Sequence, residues 1–344
     1  MIFTTRALQW AAALLTACCM QAVGANPLSD IDYRLGEGLK VPGTGLTLGG
    51  YATAGLDDLK GNVPRAAIDN ISLFIWWEGE GRWKFFGEFD SENTVGARGG
   101  SQNGGKRYVA LERLYADYAW NDTTTIRLGK FLTPIGRWNL IHATPLVWTT
   151  SRPLVTTGVF PTNSTGVMVN GTVALKGQPL EYSVYASDGS DVLTNPSIDP
   201  FNEALGMHFT LPLAGARLGA SLATFEQKKT RGDHKQLLGL DFLWTRNRYE
   251  VSAEGVYRFS GKGSSWEEKG AFIQGVVPLT ERLYAVGRYE TFRKALEPAA
   301  TRQWVAGLNF RLTPAVVLKA EWIGAKHNKA GPPEGFMSSL SVLF

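Results

Sequence analysis

The sequence predicts an all-β fold, a transmembrane antiparallel β-barrel of about 16 strands. Three observations carry this expectation. Apolar and polar residues alternate with a period of two from about residue 44 onward, an export leader precedes that region, and the chain closes on an alternating segment that ends in Phe344.

The composition narrows the choice first. With 44% hydrophobic residues, 39 Gly, 11 Trp and only 2 Cys in 344 residues, the chain is neither disordered, nor a disulfide scaffold, nor collagen-like. The formal charge of +4 comes from dispersed Lys and Arg, which is no nucleic-acid footprint.

Residues 1–25 read as a cleaved export signal peptide. Arg6 supplies the positive start, Ala7 to Ala17 is mostly apolar, and Val23-Gly24-Ala25 offers small residues for cleavage. Leu15-Thr16-Ala17-Cys18 also matches a lipobox, so acylation of Cys18 is the alternative. Cys18 and Cys19 both lie in this leader, and a cysteine-free remainder suits an oxidising compartment. Residues 26–43 are expected to form a short periplasmic segment, and 44–344 the barrel, with a long loop inserted at 132–165. Past the leader no apolar run reaches the ~18–20 residues a membrane helix needs. A membrane crossing must therefore use strands.

The alternation places strands near 44–56, 67–78, 82–90, 108–120, 125–131, 165–175, 179–187, 203–212, 216–226, 236–245, 247–259, 267–278, 282–293, 302–313, 315–326 and 336–344. In the third, Trp83, Phe85, Gly87 and Phe89 oppose Lys84, Phe86, Glu88 and Asp90. In the eleventh, Tyr249, Val251, Ala253, Gly255, Tyr257 and Phe259 oppose Arg248, Glu250, Ser252, Glu254, Val256 and Arg258. One face is oily and the other charged. Short connections such as Gly79-Glu80-Gly81, Leu213-Ala214-Gly215 and Thr245-Arg246-Asn247 alternate with long ones such as 93–106, 132–165, 188–202 and 328–335, as hairpins with one end on each side of a bilayer require.

In the last strand, Phe336, Ser338, Leu340, Val342 and Phe344 share a face. Leu340, Val342 and the terminal Phe344 resemble the assembly signal of bacterial outer-membrane barrels. Closure is physically required, because an open sheet edge in hydrocarbon leaves its amides unpaired. Trp76, Trp83, Tyr118, Trp120, Trp244, Tyr257, Trp304 and Trp322 are expected to face outward as interfacial girdles. The competing reading makes them the core of a soluble sandwich or propeller, which leaves the charged second face without a purpose.

Side chains cannot fill a bore of this strand number, so it should hold water. The alternation assigns its lining to Lys84, Glu88, Asp90, Arg113, Asp117, Arg127, Lys130, Asp241, Arg248, Glu250, Glu254, Arg258, Arg288, Glu290, Arg311, Lys319 and Glu321. The two signs nearly balance, so this wall alone gives little ion preference. The segment 132–165 is too long for an idle connector and has four prolines and no acidic residue. Folded into the bore, it would form a constriction carrying Arg137, His142 and Arg152, and the two arginines would favour anions. Packed on the rim, its arginines would instead pair with wall carboxylates.

Gly129-Lys130-Phe131-Leu132-Thr133-Pro134-Ile135-Gly136-Arg137, preceded by Leu114-Tyr115-Ala116-Asp117-Tyr118, resembles the strand-to-loop region of the phosphate-selective porins O and P and their broader relatives. Gly307-Leu308-Asn309-Phe310, Val317-Leu318-Lys319-Ala320-Glu321 and Phe344 are similar to that family's last three strands. The resemblance implies a sixteen-stranded, homotrimeric channel in the outer membrane of a Gram-negative bacterium. It does not carry over phosphate specificity, because the wall mixes signs and the long loop lacks lysine.

The expected function is a porin for passive diffusion of small hydrophilic solutes and ions, with a mild anion preference. Its partners are then outer-membrane lipid and those solutes, with no cofactor, no metal and no nucleic acid. The alternative is a plugged barrel that binds a ligand or partner. Enzyme chemistry finds little support. His142, His208, His234 and His327 have no metal-ligand spacing. His208 and Thr210 share a strand face, as in a barrel hydrolase whose histidine activates a hydroxyl, but that spacing is common. Gly100 to Lys106 imitates a P-loop, with Arg107 where Ser or Thr should reach magnesium.

Overall fold

In a computed structural model, residues 32–98, 108–141, 143–193 and 195–344 are described. The leader, the P-loop-like segment and His142 lie outside them. A small hairpin of β1 (Asp32–Arg34) and β2 (Gly38–Val41) leads into the main sheet. Sixteen strands follow: β3 (Leu46–Leu59), β4 (Arg65–Glu78), β5 (Trp83–Arg98), β6 (Tyr108–Asn121), β7 (Thr124–Leu132), β8 (Asn163–Leu175), β9 (Gln178–Ser187), β10 (Phe201–Leu213), β11 (Ala216–Gln227), β12 (Lys235–Arg246), β13 (Tyr249–Ser260), β14 (Glu268–Pro278), β15 (Leu283–Arg293), β16 (Thr301–Thr313), β17 (Val316–Lys326) and β18 (Gly335–Leu343).

From β3 to β18 each strand pairs antiparallel with the next, and β18 pairs back onto β3. The sheet is thus a closed barrel. At the seam Leu340 faces Ala54 and Val342 faces Ala52. The Phe344 N–H donates to the Gly50 carbonyl at 2.9 Å, and the Gly50 N–H donates to the Phe344 carbonyl at 2.8 Å. The terminal residue therefore completes the seam, leaving no gap at the edge where hydrocarbon would meet bare amides.

The connections alternate as the sequence predicts, with one local correction. Asn247 and Arg248 have φ of 49° and 71° and form the tight turn between β12 and β13. Arg248 is thus a rim residue and does not line the passage. It stacks on Tyr284 and donates to the carbonyls of Thr280 and Glu281 in the next turn, both at 2.6 Å.

The outer surface is apolar: Leu73, Leu114, Leu240, Ile273 and Leu340 all project from it, exposed. Trp83 packs on Tyr118, and Trp120, Trp304 and Trp322 are exposed on the same side. Trp76 departs from the expected girdle. It shares the inward face with Ser72 and Phe74, while its neighbour Trp77 takes the outward face and meets Phe85. Two adjacent tryptophans in a strand must point opposite ways. Because Leu240 lies mid-strand on the lipid side, Leu240→Arg should cost about 2–4 kcal/mol in reversible unfolding from lipid. Leu213→Arg, on the same outward face but beside the β10–β11 turn, should cost about 0–1 kcal/mol.

The interior is not uniform. The segment from Thr133 to Thr162 enters the bore, with short 3-10 turns at Trp138–Ile141 and Leu154–Thr156. Ile135, Trp138, Val147, Leu154, Val155 and Phe160 of this loop bury against Met168, Tyr185, Phe225, Leu237, Val256 and Phe272 of the wall. An apolar core thus sits inside the barrel on the side of β8 to β15. Among the described residues, this apolar core does not extend over β3 to β5.

Candidate functional site

Carboxylates on the wall hold the loop by its backbone. Glu254 on β13 accepts from the N–H groups of Arg137 (2.9 Å) and Trp138 (2.5 Å). Glu321 on β17 accepts from Thr150 (2.8 Å) and Ser151 (2.7 Å), and Glu290 on β15 accepts from Leu154 (2.6 Å). Cations hold the carbonyls. Arg288 donates to Ser151 O at 3.1 Å, Arg258 to Val159 O at 3.1 Å, and Lys319 to the carbonyls of Thr144 and Thr149. A proline-interrupted loop satisfies few of its own amides, so charged wall residues take that role.

This arrangement explains where many predicted lining residues lie. Glu254, Arg258, Arg288, Glu290, Lys319 and Glu321 all face inward, but each is buried beneath the loop. Arg288 and Glu290 are fully covered and paired at 3.1 Å. They serve as anchors for the constriction. Glu250 accepts from the Trp148 indole at 2.9 Å, and Arg311 lies over the same indole at 4.3 Å. Asp241 is buried on β12, and Lys130 is buried and paired with Asp191 at 2.6 Å. Arg137 faces Asp241, Glu250 and Glu254, so its charge is met locally.

The side of β3 to β6 carries the other predicted residues, of which Glu88 and Asp90 are buried. Arg113 pairs with Glu88, which also accepts from Ser72 at 3.3 Å. Arg127 grips Asp117 through two bonds of 2.7 Å, and Lys84 pairs with Glu78 near the turn. Asp90 accepts from Asn70 at 3.4 Å.

A cavity of about 550 Å³ lies between this wall and the loop. Asp69, Asp90, Glu92 and Glu112 line it on the wall side, with Arg65 beside them and Arg152 on the loop opposite. Four acidic groups and Arg65, which pairs with Asp69 at 2.7 Å, thus face Arg152. Arg152 lies over the Trp138 ring at 4.8 Å, and its Nε and Nη2 have no hydrogen-bond partner. Burial pushes its guanidinium below the usual arginine value, while Glu112 and Glu92 pull it back. The field across this gap therefore runs from the loop to an acidic wall.

Reading the sequence alone missed Asp69, Glu92, Glu112 and Arg65. Glu92 continues the Glu88–Asp90 alternation by one more step and was legible. Asp69 and Glu112 were not, because both sit where the pairing slips by one residue, between Ile68 and Asn70 and between Leu111 and Arg113. A bulge puts two consecutive residues opposite one partner and breaks the alternation.

His208 also finds its partners here. Its Nδ1 meets Ser221 Oγ at 2.8 Å and its Nε2 meets Thr210 Oγ1 at 3.0 Å, with Asp241 at 3.8 Å. The set looks like a hydrolase triad, but Ser221 is fully buried and accepts from the Gly136 N–H of the loop. Its geometry is that of another anchor for the constriction.

No family model matches the chain. A stretch of 149 residues is 27% identical to an uncharacterised protein of Aquifex aeolicus, covering 42% of this chain and 32% of that protein. The chain thus spans about a third of that curated relative's length. Solved structures are similar over nearly the whole barrel. An anion-selective porin from Comamonas acidovorans matches with a TM-score of 0.59 at 12% identity, over 87% of this chain and 98% of that one. OmpF of Salmonella typhi, in complex with daunomycin, matches with a TM-score of 0.62 at 10% identity, over 88% and 98%. The outer membrane channel DcaP of Acinetobacter baumannii matches with a TM-score of 0.57 at 12% identity, over 87% and 97%. At these identities the likeness shows the fold, the sixteen-stranded porin barrel. It does not single out the phosphate-selective porins.

Proposed function

We propose that this chain is an outer-membrane porin, a passive channel for small hydrophilic solutes and ions. One observation carries the reading: a barrel with an oily exterior encloses a charged cavity between its acidic wall and an internal loop. An apolar exterior of this kind is suited to lipid, and a polar gap to water. The likeness in fold to outer-membrane channels supports the same location. Association into a homotrimer belongs to the proposal and is read out by crosslinking in native membranes.

Glu92 and Glu112, opposite Arg152, bias the gap toward cations. The anion preference expected from Arg137 and Arg152 rested on a loop without acids, and the loop does enter the bore. There, however, Arg137 is met by wall carboxylates and Arg152 faces Glu92 and Glu112. The acidic wall therefore sets the sign of the local field.

The apolar cluster inside the bore favours a second reading, a plugged barrel that binds rather than conducts. Liposome swelling separates the two. Vesicles containing the purified protein should swell in isotonic small neutral sugars, and faster for smaller ones. A folded, inserted protein that leaves vesicles impermeable would favour the plug.

A further inference from the structure

Below the acidic gap, the lumen wall changes character. Tyr51, Phe74, Phe86 and Tyr115 stand side by side across β3 to β6, with centroids 5.7, 5.8 and 5.5 Å apart along the row. Trp76 meets Phe86 edge-on at 6.2 Å and is 49% exposed. Four of these rings line a cavity of about 390 Å³ at the short-turn end, shared with the β1–β2 turn and the end of β18. Phe74, Trp76 and Phe86 lie outside the apolar core beneath the loop. Folding does not require rings on a wall that would otherwise be polar.

Two of the rings already hold cations. Arg113 lies over Phe86 at 4.6 Å and Arg127 over Tyr115 at 3.7 Å, each tied back by a carboxylate. Ring faces attract positive charge through their quadrupole. Phe74 and Trp76 carry no such cation among the described residues. Asp90 stands four residues from Phe86 on β5, about 13 Å along the strand. Tyr51 joins the two regions, lining the acidic gap and touching Phe74.

We propose that the aromatic arc retains organic cations that carry a flat apolar ring, the arylalkylammonium class. The acidic gap admits the charge, and the arc holds the ring as the solute moves on. This rests on the porin reading and names the solute that such a passage would favour.

Planar-bilayer recording tests it with tryptamine, its aliphatic counterpart ethylammonium, and the anion indole-3-acetate. In wild type, tryptamine should interrupt a steady KCl current at concentrations where the other two do not. Trp76→Leu and Phe86→Leu keep apolar bulk and remove the rings. Each should raise the half-blocking concentration about three- to tenfold, in protein whose heat-modifiable migration shows it folded. Equal block by ethylammonium or by indole-3-acetate, or block unchanged in both variants, would overturn the assignment while the KCl current stands. Absence of a KCl current in folded wild type would remove the porin reading itself, and this inference with it.

Discussion

Arg288→Met should destabilise the barrel by about 3–5 kcal/mol, read as a shift in reversible urea unfolding from lipid vesicles. Arg288 is buried, pairs with Glu290 at 3.1 Å, and donates to Thr149 Oγ1 at 2.6 Å, Ser151 Oγ at 2.7 Å and Ser151 O at 3.1 Å. Removing it strands a buried carboxylate and several loop acceptors together. The remaining donors to Glu290, the Leu154 N–H and Gln303, soften the loss without cancelling it. Adding Glu290→Gln should recover part of the stability, since the stranded charge disappears. A single variant as stable as wild type would mean that the loop is not held as described. The same substitution should also make the channel current noisier, because the loop loses its central clamp.

The second large effect concerns charge. Neutralising the acidic wall with Glu92→Gln and Glu112→Gln together should abolish cation preference. From a field of several kT in such a cleft, the wild-type permeability ratio should be about three to ten in dilute salt. It should fall toward one as salt rises, because charges across an aqueous gap are screened within about 10 Å at 0.1 M. Arg152→Ala removes the opposing charge, so cation preference should rise instead. Opposite shifts from the two sets of variants are the signature of a shared gap. Reversal potentials that ignore both would place the ion path elsewhere.

Much of this architecture was legible from residue order. Alternation around 236–245 and 267–278 foretold β12 (Lys235–Arg246) and β14 (Glu268–Pro278) within a residue or so. That success has a physical cause, since a lipid-facing strand must be apolar at every second position. The terminal Phe344 was also readable, and its bonds to Gly50 show what its place in the seam does.

The site was less legible, for three reasons. Alternation tells which face a residue occupies but not whether another segment covers it. Arg288 and Glu321 face inward and yet lie under the loop, because their partners include backbone groups more than a hundred residues away. Bulges reverse the alternation locally, which hid Asp69 and Glu112. Aromatic residues carry no label for lipid or lumen, so Trp76 was assigned outward although strand geometry gives it the face of Phe74. The acid-free loop pointed to anions because its arginines were read without the wall they face, and the cation preference proposed above rests on that wall.

The most direct test is single-channel recording of the purified wild-type protein across an asymmetric KCl gradient. Discrete, stepwise currents whose reversal potential lies on the cation side are the predicted result. A folded barrel that inserts but passes no current, or one whose currents reverse on the anion side, would contradict the account of an open gap beside an acidic wall.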